Sequence, residues 1–212
     1  MSVSLHVALD ASIVIMGVDM PPMNDFVEKL EALFETDVQV LSGGAGDPDV
    51  LVLDRERIEV SVQGSRLIIN RDYPSEEDLS TLARISNATL TLLDQSIEAI
   101  GYNVDLVFEQ DSGRSAERYL GERLFRHGKL DDDDWPLWGG SGTMVFGSSQ
   151  ERKSFTVAPR LDDEKTTRVF VEANYHVAGG QTPLEAVMSE SLATIWKDAF
   201  RVMELVDGEE NL

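Results

Sequence analysis

Three ionisable side chains fall at strand spacing and together carry the groups needed for acid–base work. Tyr102, Val104, Leu106 and Phe108 alternate with Asn103, Asp105, Val107 and Glu109, so Asn103, Asp105 and Glu109 share one face of a strand. Phe170, Glu172, Asn174 and His176 share one face of another. If those faces meet, Asp105, Glu172 and His176 form a polar cluster able to give and take protons. A solvated sheet surface produces the same spacing with no chemistry attached, and it would turn Phe170 outward as a lone apolar residue.

The other candidates are local. Asp131-Asp132-Asp133-Asp134 is the densest run of charge, and adjacent carboxylates repel unless counter-ions or a basic partner neutralise them. The run lacks the alternating ligands, the glycine and the distant glutamate of a calcium loop, so no metal site is expected. Trp135-Pro136-Leu137-Trp138 follows directly. Two indoles beside four aspartates have the composition of an interface hot spot, an apolar anchor in an acidic collar. The alternative is that Trp135 and Trp138 tuck the loop onto its own sheet. Of the other histidines, His6 lies on the polar side of the first strand, and His127 ends a helix, where the dipole favours it. No histidine belongs to a metal or nucleophile motif, and cysteine is absent. Thiolate metal sites, disulfides and cysteine nucleophiles are therefore excluded, and no cofactor is expected.

Charge narrows the partners. Among 212 residues, 39 Asp and Glu stand against 18 Lys and Arg, a formal net charge of -21. Such a surface repels nucleic acid phosphates and favours a basic protein partner. Asp10 and Asp19 interrupt the apolar stretch Val3–Met20, and no run nears the ~18 apolar residues of a membrane span. With no leader-like start, a cytoplasmic protein without a membrane partner is expected.

The elements that must position these groups read as α+β. Val3, Leu5, Val7 and Leu9 alternate as a half-buried strand that continues or bulges near Asp10 and resumes through Ile13–Met16. Phe26, Val27, Leu30, Leu33 and Phe34 recur at helical spacing. Strands follow at Val38–Leu41 and Val50–Leu53, with a glycine-rich loop between them that matches no phosphate-binding pattern. Ile58–Val62 and Arg66–Asn70 flank the two-residue turn Gly64-Ser65, a hairpin. A long helix capped at Ser75 carries the stripe Leu79, Leu82, Ser86, Leu90, Leu93 and Ile97. The order then restarts: the strand at Tyr102, a helix over Ser115–Arg126, and strands at Thr143–Gly147, Lys153–Ala158 and Thr166–Val177. A closing helix follows the start signal Thr182-Pro183-Leu184-Glu185.

Two α+β halves of β-α-β-β-β-α type are therefore expected, residues 1–98 and 99–212. Their sheet is largely antiparallel, covered by two long amphipathic helices. The halves stand as separate lobes, or their strands join in one curved sheet gripping the last helix around a cavity.

Arg66–Pro74, the long helix after it, and Gly101-Tyr102-Asn103 opening a strand resemble a sporadically distributed bacterial family of uncharacterised proteins. The resemblance covers residues 55–110 and implies a bacterial source and an α+β fold. It assigns no catalytic residue.

A non-enzymatic protein-interaction or self-associating module, binding a basic partner, is the leading expectation. The alternative is a small-molecule-binding or hydrolytic enzyme with its cavity between the sheet and the C-terminal helix.

Overall fold

Alternation of apolar and polar residues over long strands lets a chain build a sheet with one greasy face, and that face must be covered. A computed structural model describes residues 3–43, 48–124, 140–148, 150–160, 167–180 and 183–208. In chain order the elements are β1 (Val3–Met16), α1 (Met23–Phe34), β2 (Val38–Leu41), β3 (Asp49–Leu53), β4 (Ile58–Gln63), β5 (Arg66–Asp72), α2 (Asp78–Leu93), β6 (Ile97–Gln110), α3 (Ala116–Leu124), β7 (Gly142–Gly147), β8 (Glu151–Pro159), β9 (Arg168–Gly180) and α4 (Glu185–Asp207).

All nine strands form one antiparallel sheet, ordered β2-β3-β4-β5-β1-β6-β9-β8-β7. The first strand of each half lies at the centre, and β1 pairs with β6 along most of its length. The hairpin strands of each half fan outward from that seam. The strands thus join in one open sheet rather than forming two separate lobes.

One face of the sheet is the core. Ala11, Ile13 and Ile15 of β1, Tyr102, Val104 and Leu106 of β6, and Val169, Val171 and Ala173 of β9 are all at most 1% exposed. Helix α2 packs on β1 and β5, and α4 packs on β6, β9 and α2; α1 and α3 extend the layer over β2 and β8. Each aliphatic side chain so withdrawn from water contributes about 1.5–3 kcal/mol, offset by the entropy of ordering the chain.

The two long helices are joined by two shorter ones, so among the described residues four helices cover the sheet. Among the described residues the first half carries four strands between its helices, against three in the second. Three boundaries differ from expectation. Helix α2 stops at Leu93 because Asp94 takes a left-handed cap (φ 47°) and donates its N–H to the Leu90 carbonyl. Ile97, placed on the helical stripe by its spacing, instead opens β6 opposite Gly180. Helix α4 starts at Glu185, with Leu184 rather than Thr182 at the cap position. In β1, register shifts between Leu5 and Val7 and between Ala8 and Asp10 break the simple alternation, as the bulge reading allows. The hairpin turn at Gly64-Ser65 forms as expected, with Gln63 opposite Arg66.

Candidate functional site

The sheet's other face receives no helix among the described residues, and here the pleat gathers the polar side chains. Register across the strands sorts them into rows. Asp72 of β5 lies opposite Asp10 of β1, Asp10 opposite Asp105 of β6, and Asp105 opposite Glu172 of β9. One step along, Asn70, Ser12, Asn103 and Asn174 form a second row on the same four strands. Asn103 donates to the Ser12 hydroxyl at 3.1 Å, Asn174 donates to the Asn103 carbonyl oxygen, and Asn70 donates to Asp72 at 3.2 Å.

The next row along β6 and β9 pairs Val107 with Phe170, and the last pairs Glu109 with Arg168, which form an ion pair. Phe170 is half-buried beside Val107, which is fully buried, so it is not the lone exposed residue expected from the spacing. Basic charge is thus available at Arg168, yet it serves Glu109, which His6 also approaches at 3.9 Å. Among the described residues none of Asp72, Asp10, Asp105 and Glu172 makes an ion pair.

Opposed residues on antiparallel strands stand about 4.5–5.5 Å apart. Carboxylates held at that spacing on a partly buried face resist ionisation. Burial foremost, then Asp105 and Asp72, raise the Asp10 pKa to about 7. Burial, then Glu172, raises Asp105 to about 6. The inner Oδ1 of Asp10 is buried and accepts no hydrogen bond. Near neutral pH the row therefore holds protons that ordinary aspartates would have lost.

Of the candidates, Asp105 and Glu172 are brought face to face, while His176 is not joined to them. It lies on the same face opposite Gly101 and Arg152, four residues along β9 from Glu172, with the asparagine row between. At about 3.3 Å per residue that is roughly 13 Å, too far for direct proton transfer. Asp131–Asp134, Trp135, Trp138 and His127 lie outside the described residues. Asp10 and Asp72 belong to the row but were not singled out from the sequence.

A separate groove of about 310 Å³ lies on the helical side, where α4 meets β7 and β8, lined by Phe146, Lys153, Phe155, Asp198, Arg201, Val202 and Leu205. Lys153 reaches Asp198 at 2.6 Å and sits over the Tyr175 ring, 5.3 Å from its centroid. The groove and the Asp105–Glu172 pair occupy opposite faces of the sheet, so they do not form one site. Among the described residues no three His, Asp or Glu converge to hold a metal ion. No described helix is long and apolar enough to cross a membrane.

No family model matches this chain, and no curated protein matches it. Among solved structures it is similar to a rolling circle replication initiator protein from Geobacillus stearothermophilus. The identity is 11%, over 93% of this chain and 85% of that one, with a TM-score of 0.33. A likeness so slight transfers neither fold nor activity.

Proposed function

We propose that this chain is a non-enzymatic protein-interaction module whose open sheet face receives a basic partner. The observation that supports this reading is the row Asp72–Asp10–Asp105–Glu172, four carboxylates on adjacent strands with no cation against them among the described residues. Two unit charges about 5 Å apart repel by about 3 kcal/mol at an effective dielectric of about 20. Lysine or arginine side chains laid along the row would relieve that cost, and the neighbouring amides would hydrogen-bond the partner's backbone. The formal charge of -21 would draw such a partner in from a distance. A cytoplasmic setting and a bacterial source belong to the same proposal.

A lysine- and arginine-rich peptide is the probe, titrated at low and high salt. Its affinity should fall by about tenfold or more between roughly 50 and 300 mM salt. The Asp10→Asn/Asp105→Asn variant should weaken it further, whereas Glu76→Gln/Glu77→Gln, which removes exposed carboxylates away from this face, should change it little. Because the partner must ionise Asp10 and Asp105, affinity should also drop between pH 8 and pH 5. Equal weakening by the two double variants would reduce the effect to bulk charge and reject the site.

A further inference from the structure

The two edges of the sheet are treated differently, and the difference points to a second copy of this chain. An edge strand exposes unpaired N–H and C=O groups, and proteins ordinarily guard it with charge, capping or cover. The β2 edge is guarded. The Glu31 carboxylate accepts the Val38 N–H at 3.2 Å, and Glu35, Asp37 and Asp54 lie beside it. Among the described residues the β7 edge has no such guard. Both edge strands are uncharged and expose apolar side chains, Val40 (44%) and Leu41 (54%) in β2 and Val145 (61%) and Phe146 (52%) in β7, so the difference lies in the acidic cover that only β2 shows among the described residues.

The hydrogen-bond phase of β7 shows which groups are free. Ser148 donates its backbone N–H to the Glu151 carbonyl at 2.7 Å, closing the β7–β8 turn as a bonded pair. Alternation along an antiparallel ladder then commits Met144 and Phe146 to β8 and directs the N–H and C=O of Thr143 and Val145 outward. The bond from Arg160 N–H to the Arg168 carbonyl, 3.0 Å, fixes the same phase independently on the far side of β8.

We infer that two copies pair antiparallel through β7, about a two-fold axis at Val145, and join their sheets into one. This surface is separate from the acidic row, and the inference does not depend on the basic-partner reading. The strand is self-complementary in that register. Val145 faces Val145 of the other copy with both its backbone groups available, and Met144 faces Phe146 on the helical side twice over. Residues placed opposite one another point to the same face of the joined sheet, as pairing requires. Charge permits the contact here and opposes it at β2. Next to β7, among the described residues, the flanking charges Arg152, Lys153 and Arg201 offset Glu151 and Asp198, so the strand is not bordered by the net negative charge found at β2.

Sedimentation of the full chain tests this, together with a cysteine probe that the Cys-free sequence makes clean. Wild type should sediment as a dimer of the 23.5 kDa chain. Val145→Pro deletes an outward N–H without touching the β8 ladder and should give a monomer with an unchanged far-UV spectrum. Should that variant unfold, Val145→Lys supplies the same test through charge. Under mild oxidation Val145→Cys should cross-link to a covalent dimer, and Leu41→Cys on the β2 edge should not. A monomeric wild type, a dimer that survives Val145→Lys, or a Val145→Cys chain that fails to cross-link would each overturn the inference, the last by moving the contact off β7.

Discussion

Mild acidification should stabilise this protein: its melting temperature should be higher at pH 5 than at pH 8. In the folded chain Asp10 titrates at about 7 and Asp105 at about 6, against an ordinary aspartate value of 3.8. Between pH 4 and pH 7 the native state therefore binds protons that the unfolded chain has released, and stability falls as pH rises. Above pH 7 the cost of ionising both groups is fully present, and below pH 4 it vanishes. Asp78 works in the opposite sense. Hydrogen bonds from the Ser75 N–H and hydroxyl, then the Arg71 guanidinium, outweigh its burial and hold it below the usual value. Its contribution is lost only under stronger acid, below the range in which Asp10 and Asp105 act.

A shift of one unit corresponds to about 1.4 kcal/mol, and partial solvent access and coupling within the row reduce the sum to an effect on the order of 2 kcal/mol. For a chain of this size that is about 4–8 °C. Asp10→Asn should raise the melting temperature at pH 8 and flatten the pH dependence. Melts in roughly 0.5 M salt isolate the local effect, since long-range repulsion of the anionic surface also eases on acidification. A wild type most stable at pH 8, or an Asp10→Asn variant with an unaltered slope, would show that the row carries no such strain.

The row was half legible in the sequence. Alternation placed Asp105 with Asn103, and Glu172 with Asn174, because a strand's period of two needs no tertiary information. Asp10-Ala11-Ser12 and Asn70-Arg71-Asp72 repeat the pairing of a carboxylate with a small polar residue two positions away. The acid comes first in β1 and β9 and second in β5 and β6, the order antiparallel strands need to bring acids into one row and amides into the next. In the sequence Asp10 reads as an interruption in an apolar strand. Only register reveals it as the centre of the row, and register depends on two bulges in β1 that propensity does not announce.

His176 shows the opposite limit. It shares a face with Glu172, but a shared face says nothing about distance along the strand, and one intervening row of amides separates a cluster from a coincidence. Ile97 failed for another reason: helical spacing continued past Asp94, while the chain had already turned. A left-handed cap at an aspartate leaves a fainter trace in sequence than one at glycine, which marks such caps far more often.

The largest loss of stability should come from Tyr102, where the two halves meet. Its ring is 1% exposed. It lies opposite Ile13 of β1 on one side and Tyr175 of β9 on the other, with the Tyr175 ring centroid 5.9 Å away. Its hydroxyl lies near Ser191 of α4, and burial foremost pushes its pKa up to about 12. One side chain thus ties together the central strand of each half, the returning strand of the second, and the helix that covers them. Removing a buried aromatic ring costs about 3–5 kcal/mol, so Tyr102→Ala should lower the melting temperature by roughly 6–20 °C. Tyr102→Phe keeps the ring and gives up only the polar tip, a cost of about 1 kcal/mol at most. Because the seam between β1 and β6 runs through both halves, unfolding should be a single transition. Urea curves followed by far-UV dichroism and by tryptophan fluorescence should coincide. Two separated transitions, or a Tyr102→Ala variant no less stable than Tyr102→Phe, would mean that the halves fold on their own and that the ring at the seam does not bind them.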